Sequence, residues 1–212
     1  RRVLFRSLIG VAAHRIDAPL YFEAPVSRFE SIIEIEERRA AENIAKAEAV
    51  FRSAAGGCNS IEWRHALAMP LDFILEQARA ADLIVADRSW LDERTPAAMK
   101  VDSGDLVMDA GRPVLFVPPG IDHVSAKRVV IAWKDTREAR RAVADSLPLL
   151  RDATEVFVVA IDTDDKAAKD VAAHLGHHGI TADTVRRATP TGAVADELVQ
   201  IRSEEHTSEL QS

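Results

Sequence analysis

The sequence predicts an α/β protein in which parallel strands form an open sheet with helices on both faces, in two successive and incomplete copies of one unit. Short apolar runs alternate with amphipathic segments across short links, as in chains built from strand–helix–strand units. Hydrophobic residues make up 47% of the chain but aromatic residues only 5%. The core must therefore be built from Val, Ile, Leu and Ala, which suits strands buried between helices. The pattern also restarts midway along the chain, which indicates a repeat.

The first half of the chain contains four predicted strands and three predicted helices. The strands are fully apolar or alternate apolar and polar residues, and the helices have apolar residues at helical spacing. The strands are Leu8–Ala13, Ile61–His65, Asp82–Ala86 and Pro113–Val117, and the helices are Ser31–Ala55, Met69–Ala81 and a segment near Gly104–Ala110. In the first helix, one face is expected to carry Ile32, Ile35, Ile44, Ala47 and Phe51.

The second half begins after a Pro-Pro-Gly sequence at positions 118–120, and we place the domain boundary between there and Ala126. The predicted domains are 8–120 and 126–201. Strands and helices alternate again, and right-handed crossovers are expected. The predicted strands are Arg128–Trp133, Glu155–Ile161 and Thr181–Arg187, and the predicted helices are Thr136–Leu150, Asp164–His178 and Thr191–Ile201.

The repeat is visible in two pairs of segments. WRHALAMPLDFILEQA, from Trp63, and VRRATPTGAVADELVQ, from Val185, both run from a strand through a Pro-marked turn into a helix. LIGVAA, from Leu8, and VFVVAI, from Val156, both run from a strand into a polar loop. The alternative is that any two α/β units look alike, and the pattern alone leaves this open.

The two ends of the chain resemble translated sequencing-library adapters. Residues 2–7 read RVLFRS and residues 202–212 read RSEEHTSELQS. We therefore expect 1–7 and 202–212 to be non-native and the natural protein to extend beyond both ends. The alternative is a native basic start and a polar helical tail.

Charge and composition exclude several classes of partner. The net charge is -7 and the basic residues are scattered, which argues against nucleic acid as a partner. The longest apolar runs have the length of a strand, which argues against a membrane span. The single cysteine, Cys58, fits a reducing compartment. We expect a cytoplasmic protein.

Two stretches resemble a known family. IEWRHALAMPLDFILEQARAADLIVADRSW followed by GRPVLFVPPG resembles the second half of a universal stress protein domain, and AKRVVIAWKDTREARRAVADSLPLL resembles the opening of another. The resemblance covers nearly all of Leu8–Ile201 and is greatest to the tandem bacterial form of this UspA-like family. It implies a Rossmann-like fold of the adenine-nucleotide α-hydrolase-like type. It also implies that the first copy lacks its opening strand and helix and that the second lacks its C-terminal part.

The resemblance also places a nucleotide motif. Family members that bind ATP carry G-x-x-G-x9-G-S/T after the fourth strand, where glycines let backbone amides approach the phosphates. On this mapping the motif positions of the first copy are Asp87, Trp90, Lys100 and Val101, and all four depart from the motif. We predict that the first copy does not bind ATP in the usual way. The motif of the second copy would lie beyond Ile201.

The candidate cofactor-binding residues are in the second copy. The resemblance places a ligand contact in the turn after the first strand, where an acid, a small residue and Ser or Thr are usual. Thr136 matches that pattern, but Lys134 stands where the acid is expected. Trp133 could stack on a base, Thr136 could face a pocket, and Ile161 could line the same crevice at the carboxyl edge of the sheet. The alternatives are that Thr136 caps the next helix, which we favour, and that Ile161 is a core residue.

No catalytic or metal site is predicted. His174 and His178, beside His177, are spaced to share a metal, but a polar helix end explains them better. An acidic cluster, Asp162, Asp164 and Asp165, fits the capping of a helix better than a Mg²⁺ site. The chain contains no G-x-S-x-G, G-x-x-x-x-G-K-[ST] or G-x-G-x-x-G sequence.

These observations favour a non-enzymatic universal stress protein involved in the stress response, with ATP as the cofactor that the complete second domain could bind. The alternative is a nucleotide-independent interaction module of the same fold, and a nucleotide-cleaving enzyme of the wider superfamily is a weaker third hypothesis. The resemblance implies that the two domains pair with each other, or that the chain forms a homodimer, through the edge formed by the last strand, PVLFV at Pro113–Val117.

Overall fold

A computed structural model describes residues 7–16, 26–87, 95–118, 120–121, 123–161 and 165–187. For residues 26–31, 161, 165 and 186–187 it describes the backbone alone. The chain divides into two compact units, Arg1–Ile121 and Asp122–Ser212. The predicted helix Thr191–Ile201 lies outside the described residues.

The described residues of the first unit form four strands and three α-helices. In chain order they are β1 (Leu8–Ala13), α1 (Val26–Ala54), β2 (Ile61–Ala66), α2 (Pro70–Gln77), β3 (Ile84–Asp87), α3 (Ser103–Asp109) and β4 (Val114–Val117). Short 3-10 turns follow α2 at Ala78–Ala80 and precede α3 at Ala97–Met99. Pro70 begins α2, where its missing N–H costs no helical hydrogen bond. The Asp102 side chain accepts hydrogen bonds from the Gly104 and Asp105 amides and so caps α3.

The strands of the first unit form two parallel pairs. β1 pairs with β2 from Leu8–Ile61 to Ala13–Ala66, and β3 pairs with β4 from Ile84–Val114 to Asp87–Val117. Among the described strands, no ladder joins one pair to the other. Within the described residues, the parallel strands of this unit therefore form two separate pairs.

Gly10 allows α1 to approach the first strand pair closely. A Cβ atom at Gly10 would lie 2.5 Å from Cε3 of Trp63 and 2.7 Å from Cγ of Phe51. The Phe51 and Trp63 rings are in contact, with centroids 5.5 Å apart. Two aromatic rings thus occupy the space that a side chain at this position would need, and together they hold α1 against β1 and β2.

In the second unit the described strands form a three-stranded parallel sheet in the order β5 (Arg128–Trp133), β6 (Glu155–Ile161) and β7 (Asp183–Arg187). Helix α4 (Arg137–Leu150) connects β5 to β6, and α5 (Asp165–His177) connects β6 to β7. The central strand β6 is deeply buried, since Val158 and Val159 expose 0% of their surface. The surrounding core also contains Trp133, Val143, Leu150, Val156, Ala160, Ala168, Val171, Leu175 and Ile180.

The predicted α/β class with parallel strands and connecting helices is confirmed. The assignment of Ile35 to the apolar face of the first helix is wrong, because its side chain is 58% exposed whereas Ile44 is 6% exposed. The helix also begins earlier than predicted, at Val26. The predicted helix Met69–Ala81 ends earlier, at Gln77, and continues as a 3-10 turn.

Candidate functional site

Trp133 ends β5 and is enclosed by protein. It is 7% exposed and belongs to the core of the second unit together with Val143, Val158 and Leu175. Its indole Nε1 is buried and has no hydrogen-bond partner among the described residues. Stacking on a nucleotide base would require the indole to leave this core, at the cost of burying less apolar surface.

Thr136 is the N-cap of α4. Its Oγ1 accepts a hydrogen bond from the Ala139 amide at 3.2 Å, and its backbone is extended, as a cap requires. The hydroxyl therefore performs the structural role that the sequence favoured. In the first turn, Glu138 accepts hydrogen bonds from its own backbone amide and from Arg137, and these hold the pKa of its carboxyl below the usual range.

The remaining candidates lie at the same edge of this sheet. Trp133 pairs with Ala160, so Ile161 follows one residue beyond it on the neighbouring strand. The side chain of Ile161 lies outside the described residues. Lys134 is exposed, and its carbonyl accepts a hydrogen bond from the Thr136 amide at 2.7 Å. The backbone thus brings the predicted positions together, but the described side chains serve the core and the helix cap.

A cavity of about 310 Å³ lies within the first unit. Asp87, the last residue of β3, is exposed and lines it, and so does the half-buried Val101. Both stand at positions that the resemblance assigns to the nucleotide motif. Lys100 is half-buried and does not line the cavity, and Trp90 lies outside the described residues. The full lining is Val11, Ala12, Ala13, Ala47, Pro70, Ile74, Val85, Ala86, Asp87, Thr95, Met99, Val101, Ser103, Leu106 and Phe116.

His14 is a buried polar residue that the sequence analysis missed. It follows β1 directly and is 2% exposed. The Asn43 amide donates to Nε2 at 3.2 Å, and Nδ1 donates to the Arg15 carbonyl at 2.9 Å. In this arrangement Nδ1 is the donor and Nε2 the acceptor of the imidazole ring. The sequence indicated this role only by placing a polar residue immediately after a fully apolar strand. In the structure His14 joins the end of β1 to α1 through its hydrogen bond with Asn43.

The other titratable groups form no metal cluster within the described ranges. No set of three or more His, Cys, Asp or Glu side chains there could hold an ion. The His174 and His178 rings contact each other edge to face, with centroids 4.9 Å apart. Of the acidic cluster, Asp162 and Asp164 lie outside the description, as does the side chain of Asp165. None of the described helices is long and apolar enough to cross a membrane.

Comparisons with known proteins identify the fold. No family model and no curated protein matches the chain. Among solved structures, a universal stress protein from Archaeoglobus fulgidus DSM 4304 is similar, with a TM-score of 0.57 and 18% sequence identity. The match covers 96% of this chain and 74% of that chain. The chain therefore has an α/β fold similar to that of this universal stress protein.

Proposed function

We propose that the chain is part of a non-enzymatic, cytoplasmic universal stress protein that acts in the stress response by binding. On this proposal the first unit binds no nucleotide. If the complete protein binds ATP, it does so in its second domain. The similar fold and the two sequence stretches that resemble the family support the proposal. Pairing of the two domains, or of two copies, through the last strand of each domain belongs to the same proposal.

The observation that carries the proposal is the position of Asp87 at the carboxyl end of β3, on the cavity wall. Phosphate sites in such folds use bare backbone amides at strand ends. A carboxylate about 4 Å from a phosphate charge is repelled by about 1 kcal/mol in water and about 4 kcal/mol near a protein surface. Among the described lining residues, which are largely apolar, no Lys or Arg side chain offsets this repulsion.

The alternative is an interaction module of the same fold that is independent of nucleotide. The roles of Trp133 and Thr136 favour it, because one side chain is held in the core and the other is engaged at the helix cap. Neither is free to contact a ligand without breaking an interaction that stabilises the second unit.

Calorimetric titration with Mg·ATP, combined with an assay for released phosphate, tests the proposal. Asp87→Asn removes the charge while keeping the shape. We expect Asp87→Asn to bind Mg·ATP at least as tightly as the wild-type chain, because the variant lacks the repelling charge, and we expect no phosphate release above a heat-denatured control. If the wild-type chain and Asp87→Asn both bind Mg·ATP saturably and with the same affinity, the result favours a nucleotide site in the second unit. If neither chain binds Mg·ATP, the result favours the interaction module. Binding that weakens in Asp87→Asn would mean that this carboxylate assists nucleotide in the first unit, and that result, or steady phosphate release, would contradict the proposal.

A further inference from the structure

Two histidine side chains contact each other at the C-terminal end of α5. His174 and His178 are both exposed, and their ring centroids lie 4.9 Å apart with an interplanar angle of 70°. They are four residues apart, so their side chains lie on the same face of the helix, one turn apart. Neither belongs to the core, and the proposed function uses neither. A polar helix end accounts for their exposure but not for the contact between their rings.

The end of the helix holds the backbone of His178 in place. Gly179 has a φ of 76°, and its amide donates to the Gly176 carbonyl at 3.0 Å. The Ile180 amide donates to the Leu175 carbonyl at 3.1 Å. These two hydrogen bonds form a Schellman motif, which closes the last helical turn. Leu175 is 0% exposed and Ile180 is 4% exposed, so the motif is anchored in the apolar core of the second unit.

The distance between the two rings is the distance that chelation of one metal ion requires. A metal ion lies about 2.0–2.1 Å from an imidazole nitrogen, and the ring centroid lies about 1.1 Å further along the same line. Two imidazoles that subtend about 90–110° at the ion therefore place their centroids about 4.4–5.2 Å apart. The observed 4.9 Å lies within this range. To direct one nitrogen each to a shared ion, the rings need only turn about χ2, which is a broad torsion for histidine.

The position of the pair on the helix also favours a cation. The last backbone carbonyls of a helix give its C-terminal end a partial negative charge of about half an elementary charge. Two histidines four residues apart on one helix face are, in addition, an established arrangement for two ligands of one zinc ion. Charge and spacing therefore agree at this end of α5.

His177 does not share this arrangement. Successive residues of a helix point about 100° apart, so His177 does not face His178. It is exposed, and within the described part of the chain no ring contact involves it. Two imidazoles are thus available to one ion, which agrees with the finding that the described residues contain no set of three or more such ligands.

We propose that His174 and His178 form a surface binding site for a divalent late transition metal ion, with water at the remaining coordination positions. Imidazole suits Cu²⁺, Ni²⁺ and Zn²⁺, and Cu²⁺ should bind most tightly. The end of α5 leads into the start of β7, so the site lies at the amino edge of the sheet, opposite the edge of Trp133 and Thr136. It is independent of nucleotide binding and stands whether or not the proposed function is correct.

Calorimetric titration of the full chain with Cu²⁺ tests the proposal. Every sample carries Cys58→Ser, because the exposed thiol would itself bind or reduce the ion. This parent chain should bind one Cu²⁺ more tightly than any other. His174→Gln and His178→Gln each remove one ligand and should weaken that binding at least about tenfold. His177→Gln, the matched control, removes an exposed histidine from the same turn and should change the affinity less than about twofold.

The variants distinguish the proposed pair from other modes of binding. Equal affinity of the parent chain and His174→Gln would mean that the ion binds elsewhere, and it would overturn the proposal. A loss in His177→Gln as large as that in His178→Gln would mean that a different set of histidines holds the ion, and would also overturn it. So would the absence of saturable binding. All three positions are exposed, so the variants should fold like the parent chain.

Two further measurements show whether both imidazoles bind one ion in the folded helix. The electron paramagnetic resonance spectrum of the 1:1 Cu²⁺ complex should show coupling to two nitrogens, and coupling to one would overturn the proposal. Because the two rings are brought together only in the folded helix, Cu²⁺ should raise the Tm of the parent chain more than that of His174→Gln. An equal rise in both chains would contradict a site formed by this pair.

Discussion

Gly10→Ala should destabilise the first unit, because a methyl group at this position has no space. The new Cβ would lie 2.5 Å from Cε3 of Trp63 and 2.7 Å and 2.8 Å from Cγ and Cδ1 of Phe51. Both rings would have to withdraw by roughly 1 Å to restore ordinary contact near 3.5–4.0 Å. Overpacking of this kind costs about 1–3 kcal/mol, and the lower entropy of the unfolded alanine chain offsets about 0.4–1 kcal/mol. We expect a net loss of about 1–2 kcal/mol.

Urea unfolding followed by tryptophan fluorescence measures this loss. With a slope of about 2 kcal/mol per molar, the midpoint should fall by roughly 0.5–1 M. Gly57→Ala is the matched control in the same unit, since a Cβ there meets nothing within 4 Å. Its midpoint should stay the same or rise slightly. A Gly10→Ala midpoint equal to or above that of the wild type would refute the close approach of Phe51 and Trp63 to β1.

Three further substitutions test other contacts by the same unfolding measurement. Thr136→Ala should lower the free energy of unfolding by about 1 kcal/mol through loss of the helix cap, whereas Thr136→Ser should keep most of that stability. An unchanged stability of Thr136→Ala would contradict the capping role. Leu175→Ala should lower the free energy of unfolding by about 2–5 kcal/mol because this side chain is fully buried. Met108→Ala, at an 81% exposed residue, should change it by less than about 0.5 kcal/mol. Equal effects of the two substitutions would be inconsistent with the burial of Leu175. Asn43→Leu should cost about 1–3 kcal/mol by leaving Nε2 of His14 without its donor, and a neutral effect would argue against that hydrogen bond.

Much of the fold could be predicted from the apolar runs. The predicted bounds Leu8–Ala13, Arg128–Trp133 and Glu155–Ile161 coincide with β1, β5 and β6. These runs are rich in Val, Ile and Ala and end at polar residues, so that local pattern and tertiary burial agree. The exposure of Ile35 shows that helical periodicity alone does not determine which residues are buried.

The candidate site was harder to predict. The Thr136 cap follows from local sequence, because a Thr before a helix with Glu in its first turn is a local capping pattern. The burial of Trp133 depends on α4 and α5, which lie far away in sequence, and Gly10 depends on two rings from α1 and β2. Among the described strands, β1 pairs only with β2 and β3 only with β4. This arrangement depends on strand order, which periodicity does not encode.

Photo-crosslinking with 8-azido-ATP, followed by peptide mapping, tests most directly the claim that the first unit does not bind nucleotide. We expect no crosslink that excess ATP competes away on peptides from residues 8–118, where Asp87 and the apolar lining oppose a triphosphate. A competed crosslink at Asp87 or Met99 would contradict the account.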